Sequence, residues 1–183
     1  MDKWFPIQTP RLLLREFIAA DEDDVHEYAS DAVVVQYTDW GPNTPAQTRR
    51  RISSYLEDQL TWPRDEVSLA VEQRAECKVI GTIRLAIMDR QTRTADFGFV
   101  FNRRYWNQGY ALEAAGATLR AAFKSLSLHR VWATCDTRNV GSWRVLEKTG
   151  MRREGLFRGD VFQKGEWRDS YLYARIEGDE TPD

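Results

Sequence analysis

The residues in this chain that could do chemistry fall into three short stretches. In "CDTRNVGSWRVLEKTG", Asn139 and Ser142 stand three positions apart. Helical spacing puts their amide and hydroxyl on one side of a first turn, where the hydroxyl could donate a proton to a leaving group. The plainer use of the same pair is an N-cap with a first-turn serine. In "NRRYWNQGYALEA", the amides around Gly109, Tyr110 and Ala111 open an alanine-rich helix. Such amides lack intrahelical partners and carry the positive end of the helix dipole, so they could hold a phosphate. Gly109 would let the backbone come close to that ligand, Arg103 and Arg104 would add charge, and a simple capped connector is the alternative. In "TADFGFVF", Asp96, Gly98 and Val100 share one strand face, opposite Phe97, Phe99 and Phe101. That face has the profile of a surface a ligand could lie against, and the plainer reading of Asp96 is a solvated or salt-bridged carboxylate. Gly98 marks a bulge, a close ligand approach, or room for a neighbouring side chain.

The elements that must position these groups follow from periodicity. "RLLLREF" reads as a strand, "ADEDDVHEYASD" as a helix with an acidic first turn, and "GPNTPAQTRRRISSYLEDQLTW" as turn chemistry followed by a second helix. The Arg49, Arg50 and Arg51 run is most simply a solvated helix face. Residues 67 to about 101 read as three sequential antiparallel strands. A helix then opens near Gln108, followed by the strand "HRVWATCDT", a helix from Asn139 to Lys148 closed by Gly150, and two strands joined near Lys164 and Gly165. Antiparallel strands leading into a β-α-β crossover imply an α/β (α+β) fold: one mixed, mostly antiparallel sheet with helices on both faces.

Bulk properties narrow the function classes. The 183 residues predict a single domain over residues 1–178 with a frayed acidic tail at 179–183. Hydrophobic residues make up 42%, aromatics 12% and charged residues 30%, as in a globular chain outside the membrane. A formal net charge of -2 gives no bulk attraction to nucleic acid. No run is long and apolar enough to suggest a membrane span, and the N-terminus "MDKWFPIQTPR" lacks a signal-peptide core. Cys77 and Cys135, both expected inside strands, read as reduced thiols of a cytoplasmic protein. With only His26 and His129 and no paired-cysteine spacing, no metal site is expected.

Taken together, the blocks "TPRLLLREF", "IGTIRL", "DFGFVFNRRYWNQGYALEA", "NVGSWRVLEKTGMRREG" and "WRDSYLYARI" resemble the GNAT acyltransferases. The similarity is to the branch of RimJ/RimL-type ribosomal-protein N-acetyltransferases, and it covers nearly the whole chain. It implies splayed central strands with acetyl-CoA between them. Phe99 and Val100 would offer backbone to the pantetheine arm. Asn107, Gln108, Gly109, Tyr110 and Ala111, with Arg104 beside them, would wrap the pyrophosphate. Asn139 would contact the pantetheine, and Ser142 would protonate the departing thiolate. The family's loop often has Gln or Arg, then Gly, where this chain has Trp106 and Asn107. A glutamate proposed as base in some members falls at Val161 here, which leaves Asp96 (through a water), Asp160 or solvent to take the proton.

The expected activity is acetyl transfer to a primary amine, foremost a protein N-terminal α-amine, with a small amine (antibiotic or polyamine) or a non-catalytic acetyl-CoA sensor as alternatives. An α-amine with a pKa near 8 costs only about 1.4 kcal/mol to deprotonate at neutral pH, against roughly 4.6 kcal/mol for a lysine. Acceptor choice would rest on residues 31–66 and 158–169, with Trp40, Trp62, Phe162 and Trp167 as candidate walls. A homodimer is compatible with the sequence.

Overall fold

Alternation of apolar and polar residues over 66–89 produces two long neighbouring strands, and the same pattern over 94–101 adds a third. The computed structural model describes residues 4–61 and 63–179 of the chain, so Trp62 and residues 180–183 of the acidic tail lie outside it. Its elements are β1 (Ile7–Gln8), β2 (Leu12–Arg15), α1 (Glu22–Ala29), α2 (Pro45–Asp58), β3 (Glu66–Gln73), β4 (Lys78–Asp89), β5 (Thr94–Phe101), α3 (Tyr110–Lys124), β6 (Arg130–Asp136), α4 (Val140–Lys148), β7 (Arg152–Gln163) and β8 (Glu166–Ile176). The start of α2 shows how local chemistry sets these bounds. Pro45 occupies the first turn, and Thr44 and Gln47 exchange side-chain-to-backbone hydrogen bonds in a capping box.

The strands form one sheet in the order β1-β2-β3-β4-β5-β6-β8-β7. Every neighbouring pair is antiparallel except β5 and β6, which run parallel and pair only between Thr94–Asp96 and Arg130–Trp132. Beyond that seam β5 continues to Phe101 and β6 to Asp136 without pairing to each other, so the sheet splits. One face buries Leu69, Ile83, Phe97 and Phe101 against Ala114, Ala115 and Leu119 of α3 and Leu146 of α4. The other buries Ala70 and Val79 against Val25 and Tyr28 of α1 and Ile52 of α2, with Val100 packed alongside. Helices therefore cover both faces, as the sequence pattern implies.

Three local expectations need correction. Cys77 lies in the turn between β3 and β4, exposed and with φ of 51°, not in a strand. The helix expected to open near Gln108 begins at Tyr110, with Gly109 as its N-cap. A two-residue edge strand, β1, precedes the first one expected. Among the described residues no helix is long and apolar enough to cross a membrane.

Candidate active site at the split in the sheet

Hydrogen bonds at the strand ends fix how β5 presents its backbone to the split. Asn102 N donates to Ile80 O (2.8 Å) and Ile87 N donates to Asp65 O (2.6 Å), which turns the even-numbered residues of β4 and β5 toward each other. On the other side Arg93 O accepts from His129 N (2.9 Å), so the odd-numbered residues face β6. Peptide groups alternate in direction along a strand. Phe99 therefore directs its amide and carbonyl into the split, beyond the last paired residue. The Phe101 carbonyl points the same way and accepts from the Trp106 indole N–H (2.8 Å). Val100, expected to share the backbone role with Phe99, instead pairs toward Thr82 of β4. The phase of the strand thus turns Phe99 and Phe101, not Val100, toward the split.

After β5 the chain makes a short 3-10 turn at Arg103–Tyr105 and enters the loop before α3. Asn107 (φ 59°) and Gly109 (φ 81°) both adopt the left-handed conformation. Asparagine is among the few side chains that tolerate it. Among the described residues the amides of Gly109, Tyr110, Ala111 and Leu112 make no hydrogen bond; the first bonded amide of the helix is that of Glu113, to Gly109 O (3.0 Å). A run of outward-facing amides at a helix start suits the diphosphate of coenzyme A. The Arg104 guanidinium, expected at this loop, pairs instead with Glu27 of α1 (2.9 Å), and Arg103 pairs with Asp31 (3.1 Å). Those two cations tie the turn to Glu27 of α1 and to Asp31 just after it. The cation that touches the loop is Arg11, whose Nη1 donates to Gln108 O (2.9 Å). Sequence reading used Arg11 only as the start of a strand.

Helix α4 is fixed at both ends. Asn139 caps it through Oδ1, which accepts from Ser142 N (3.2 Å). Gly150, at φ of 84°, closes it: Gly150 N donates to Glu147 O (3.0 Å) and Met151 N to Leu146 O (3.1 Å). That pair of bonds, with Leu146 and Met151 both buried, is a Schellman motif. Ser142 is half-buried, and its hydroxyl makes no hydrogen bond among the described residues. Just before the helix, Asp136 accepts from Arg138 N (2.9 Å), Nε (3.0 Å) and Nη2 (2.8 Å). Burial disfavours its charge, but the Arg138 bonds win and hold the carboxyl below the usual range. Cys135 is buried in the same strand, and burial pushes its thiol up to about 12.

On the α1/α2 face, Asp96 sits at the fork, opposite Trp132 in the last paired position. Its carboxylate is ion-paired with Arg84, whose Nε also contacts Glu66 (3.0 Å). Gly98 pairs regularly with Arg84, so it marks no bulge. A Cβ there would meet nothing within 4 Å, which rules out a neighbouring side chain as its reason and leaves an open floor above the strand. The loop 31–43 and the β7–β8 hairpin meet across the split on this face: Lys164 Nζ donates to Val35 O, and Arg168 Nη1 donates to Gln36 O (2.8 Å). Near this junction Trp40 is partly exposed, and the exposed Phe162 and Trp167 rings pack on each other at 5.4 Å. Asp160 lies exposed within a bulge of β7 between Phe157 and Val161, where Gly159 takes φ of 56°. Strand alternation therefore does not govern where it points.

A split parallel seam, the Phe99 backbone facing it and a helix start with unpartnered amides form an arrangement suited to an acyl-coenzyme A. The comparisons agree: residues 11–152 match the family described as Acetyltransferase (GNAT) domain, and the chain belongs to that family. It is similar to the uncharacterized N-acetyltransferase YnaD of Bacillus subtilis, with 39% identity over 93% of this chain and 96% of that one. Its structure resembles a GNAT-family acetyltransferase from Bacillus anthracis (39% identity, TM-score 0.83, 93% and 97% of the two chains). It also resembles a putative ribosomal-protein-serine acetyltransferase from Vibrio cholerae (25%, 0.80, 94% and 97%). A spermidine N-acetyltransferase from Vibrio cholerae, solved with CoA and spermine, shares the fold at 19% identity (0.78, 93% and 98%). The protein is a GNAT-family N-acetyltransferase.

Proposed function

We propose that the acceptor is the α-amine of a protein or peptide N-terminus, entering from the α1/α2 face over Gly98. The observation that carries this reading is charge matching at the groove. Asp96 is paired with Arg84, and Asp136 and Glu166 are held by Arg138 and Arg168. A polyamine would have to displace those arginines to reach the carboxylates at the fork. A peptide brings a single amine, and the exposed rings of Trp40, Phe162 and Trp167 offer it apolar contact.

Acetyl-CoA supplies the thioester carbonyl. The loop amides from Gly109 to Ala111 hold its diphosphate, and the Phe99 backbone aligns the arm along β5. A strand amide facing the split, that of Phe99 or Phe101, stabilises the carbonyl oxygen as it gains charge. Ser142 donates a proton to the departing sulfur, with Asn139 holding the turn on which it stands. The attacking amine must be neutral, and its proton leaves through water toward Asp96 or solvent. An α-amine is already deprotonated to a useful extent near neutral pH, so a weak relay suffices.

The test is incubation with acetyl-CoA and a panel of N-terminal peptides, polyamines and other small amines, following thiol release. Turnover with peptides and none with polyamines supports the proposal, whereas turnover confined to small amines refutes it. Ser142→Ala should lower kcat by about 10²-fold or more while leaving the KM for acetyl-CoA near its original value. Unchanged kcat would remove Ser142 from the mechanism.

A further inference from the structure

We propose that Arg11 is a coenzyme-positioning residue: by holding the Gln108 carbonyl, it aims the Gly109 amide at the diphosphate. The inference rests on the coenzyme site described above and extends it to a residue from the far side of the sheet. Arg11 precedes β2 and is held from several sides. Its backbone N donates to Glu113 Oε1 (3.0 Å), its Nε to Glu113 Oε2 (2.6 Å), and its guanidinium lies 4.3 Å from the centre of the Tyr110 ring. Thr9 Oγ1 adds a further bond to Glu113 Oε1 (2.6 Å). Burial resists ionisation of Glu113, but the bonds from Thr9 and Arg11 outweigh it and hold the carboxyl below its ordinary range. The clamp is therefore charged and oriented before any ligand arrives.

The consequence comes from peptide geometry. The bond from Gln108 to Gly109 is trans, since the cis bonds among the described residues are those before Pro6 and Pro42. In a trans peptide the carbonyl and the following N–H point in opposite directions. With Gln108 O fixed on Arg11 Nη1 at 2.9 Å, the Gly109 N–H must point away from Arg11, outward from the helix start. The fit is close: a Cβ on Gly109 would lie 3.3 Å from Arg11 Nη2. Without Arg11, the peptide between Gln108 and the left-handed Gly109 is free to rotate and to turn its carbonyl toward the phosphates instead.

The test compares equilibrium binding of CoA with that of pantetheine, which lacks the diphosphate, in wild type, Arg11→Gln and Arg11→Lys. In Arg11→Gln the Kd for CoA should rise about tenfold or more while that for pantetheine stays unchanged. Arg11→Lys keeps a charge but cannot bridge Glu113 and Gln108 with one planar fork, so it should recover only part of the loss. Equal losses for both ligands would mean general loosening, and full recovery by lysine would mean that charge alone matters; either overturns the proposal. If circular dichroism shows Arg11→Gln to be unfolded, Arg11→Lys carries the same two-ligand comparison. A wild-type protein that bound neither ligand would overturn the coenzyme site itself, a failure visible before any variant is made.

Discussion

Cys77 and Cys135 carry one side chain into opposite circumstances. Cys77 is exposed in a turn, while Cys135 is buried with its thiol raised to about 12, so almost none of it is thiolate near neutral pH. A disulfide-exchange reagent should therefore titrate one thiol rapidly and the second only on unfolding, and Cys77→Ser should abolish the rapid phase. Two rapid equivalents in the native protein would contradict the burial of Cys135. Assays that follow coenzyme thiol should use that variant to lower their background. The sequence misplaced Cys77 because "ECKVIG" continues the strand alternation, and the turn before it contains no glycine or proline to interrupt the pattern. Asn139 and Gly150 were legible because a cap is chemistry between near neighbours. The contacts of Arg11 were not, since they join residues 97 and 102 positions apart.

Between elements, the decisive contact is the one that closes the β7–β8 hairpin onto the loop after α1. Both turn residues of the hairpin, Lys164 (φ 51°) and Gly165 (φ 85°), have the left-handed conformation of a type I′ turn. That geometry presents Lys164 Nζ to Val35 O, where burial first and then Arg168 lower the ammonium's pKa. Lys164→Ala should free the hairpin tip and raise the KM for a peptide acceptor by about fivefold, the worth of one hydrogen bond, while leaving CoA affinity unchanged. Steady-state kinetics with the acceptor varied, together with direct CoA titration, separate the two. A loss in CoA binding would show that the hairpin serves the coenzyme instead. The hairpin and its turn were readable from "QKGEW", since two strands joined through Lys-Gly is a local signal. The β7 bulge and the docking of Lys164 were not, because both depend on what the neighbouring strand and the distant loop present.

At the scale of the molecule, the order of strands and helices was legible in the sequence because each long element carries its own period. The split was reached only by family resemblance, because the point at which two parallel strands stop pairing leaves no periodic trace. The parallel seam spans only Thr94–Asp96 against Arg130–Trp132, and among the described residues it is the only strand pairing that joins β1–β5 to β6–β8. The polypeptide is therefore an arch built from two abutments, and a coenzyme bound at the proposed site would be its keystone. Saturating CoA, at about a hundred times its Kd, should raise the melting temperature by about 5–10 °C. Amide exchange should slow most at residues 97–101 and 133–136, on the two sides together. Slowing on one side alone would show that the ligand rests against a single abutment and bears none of the load.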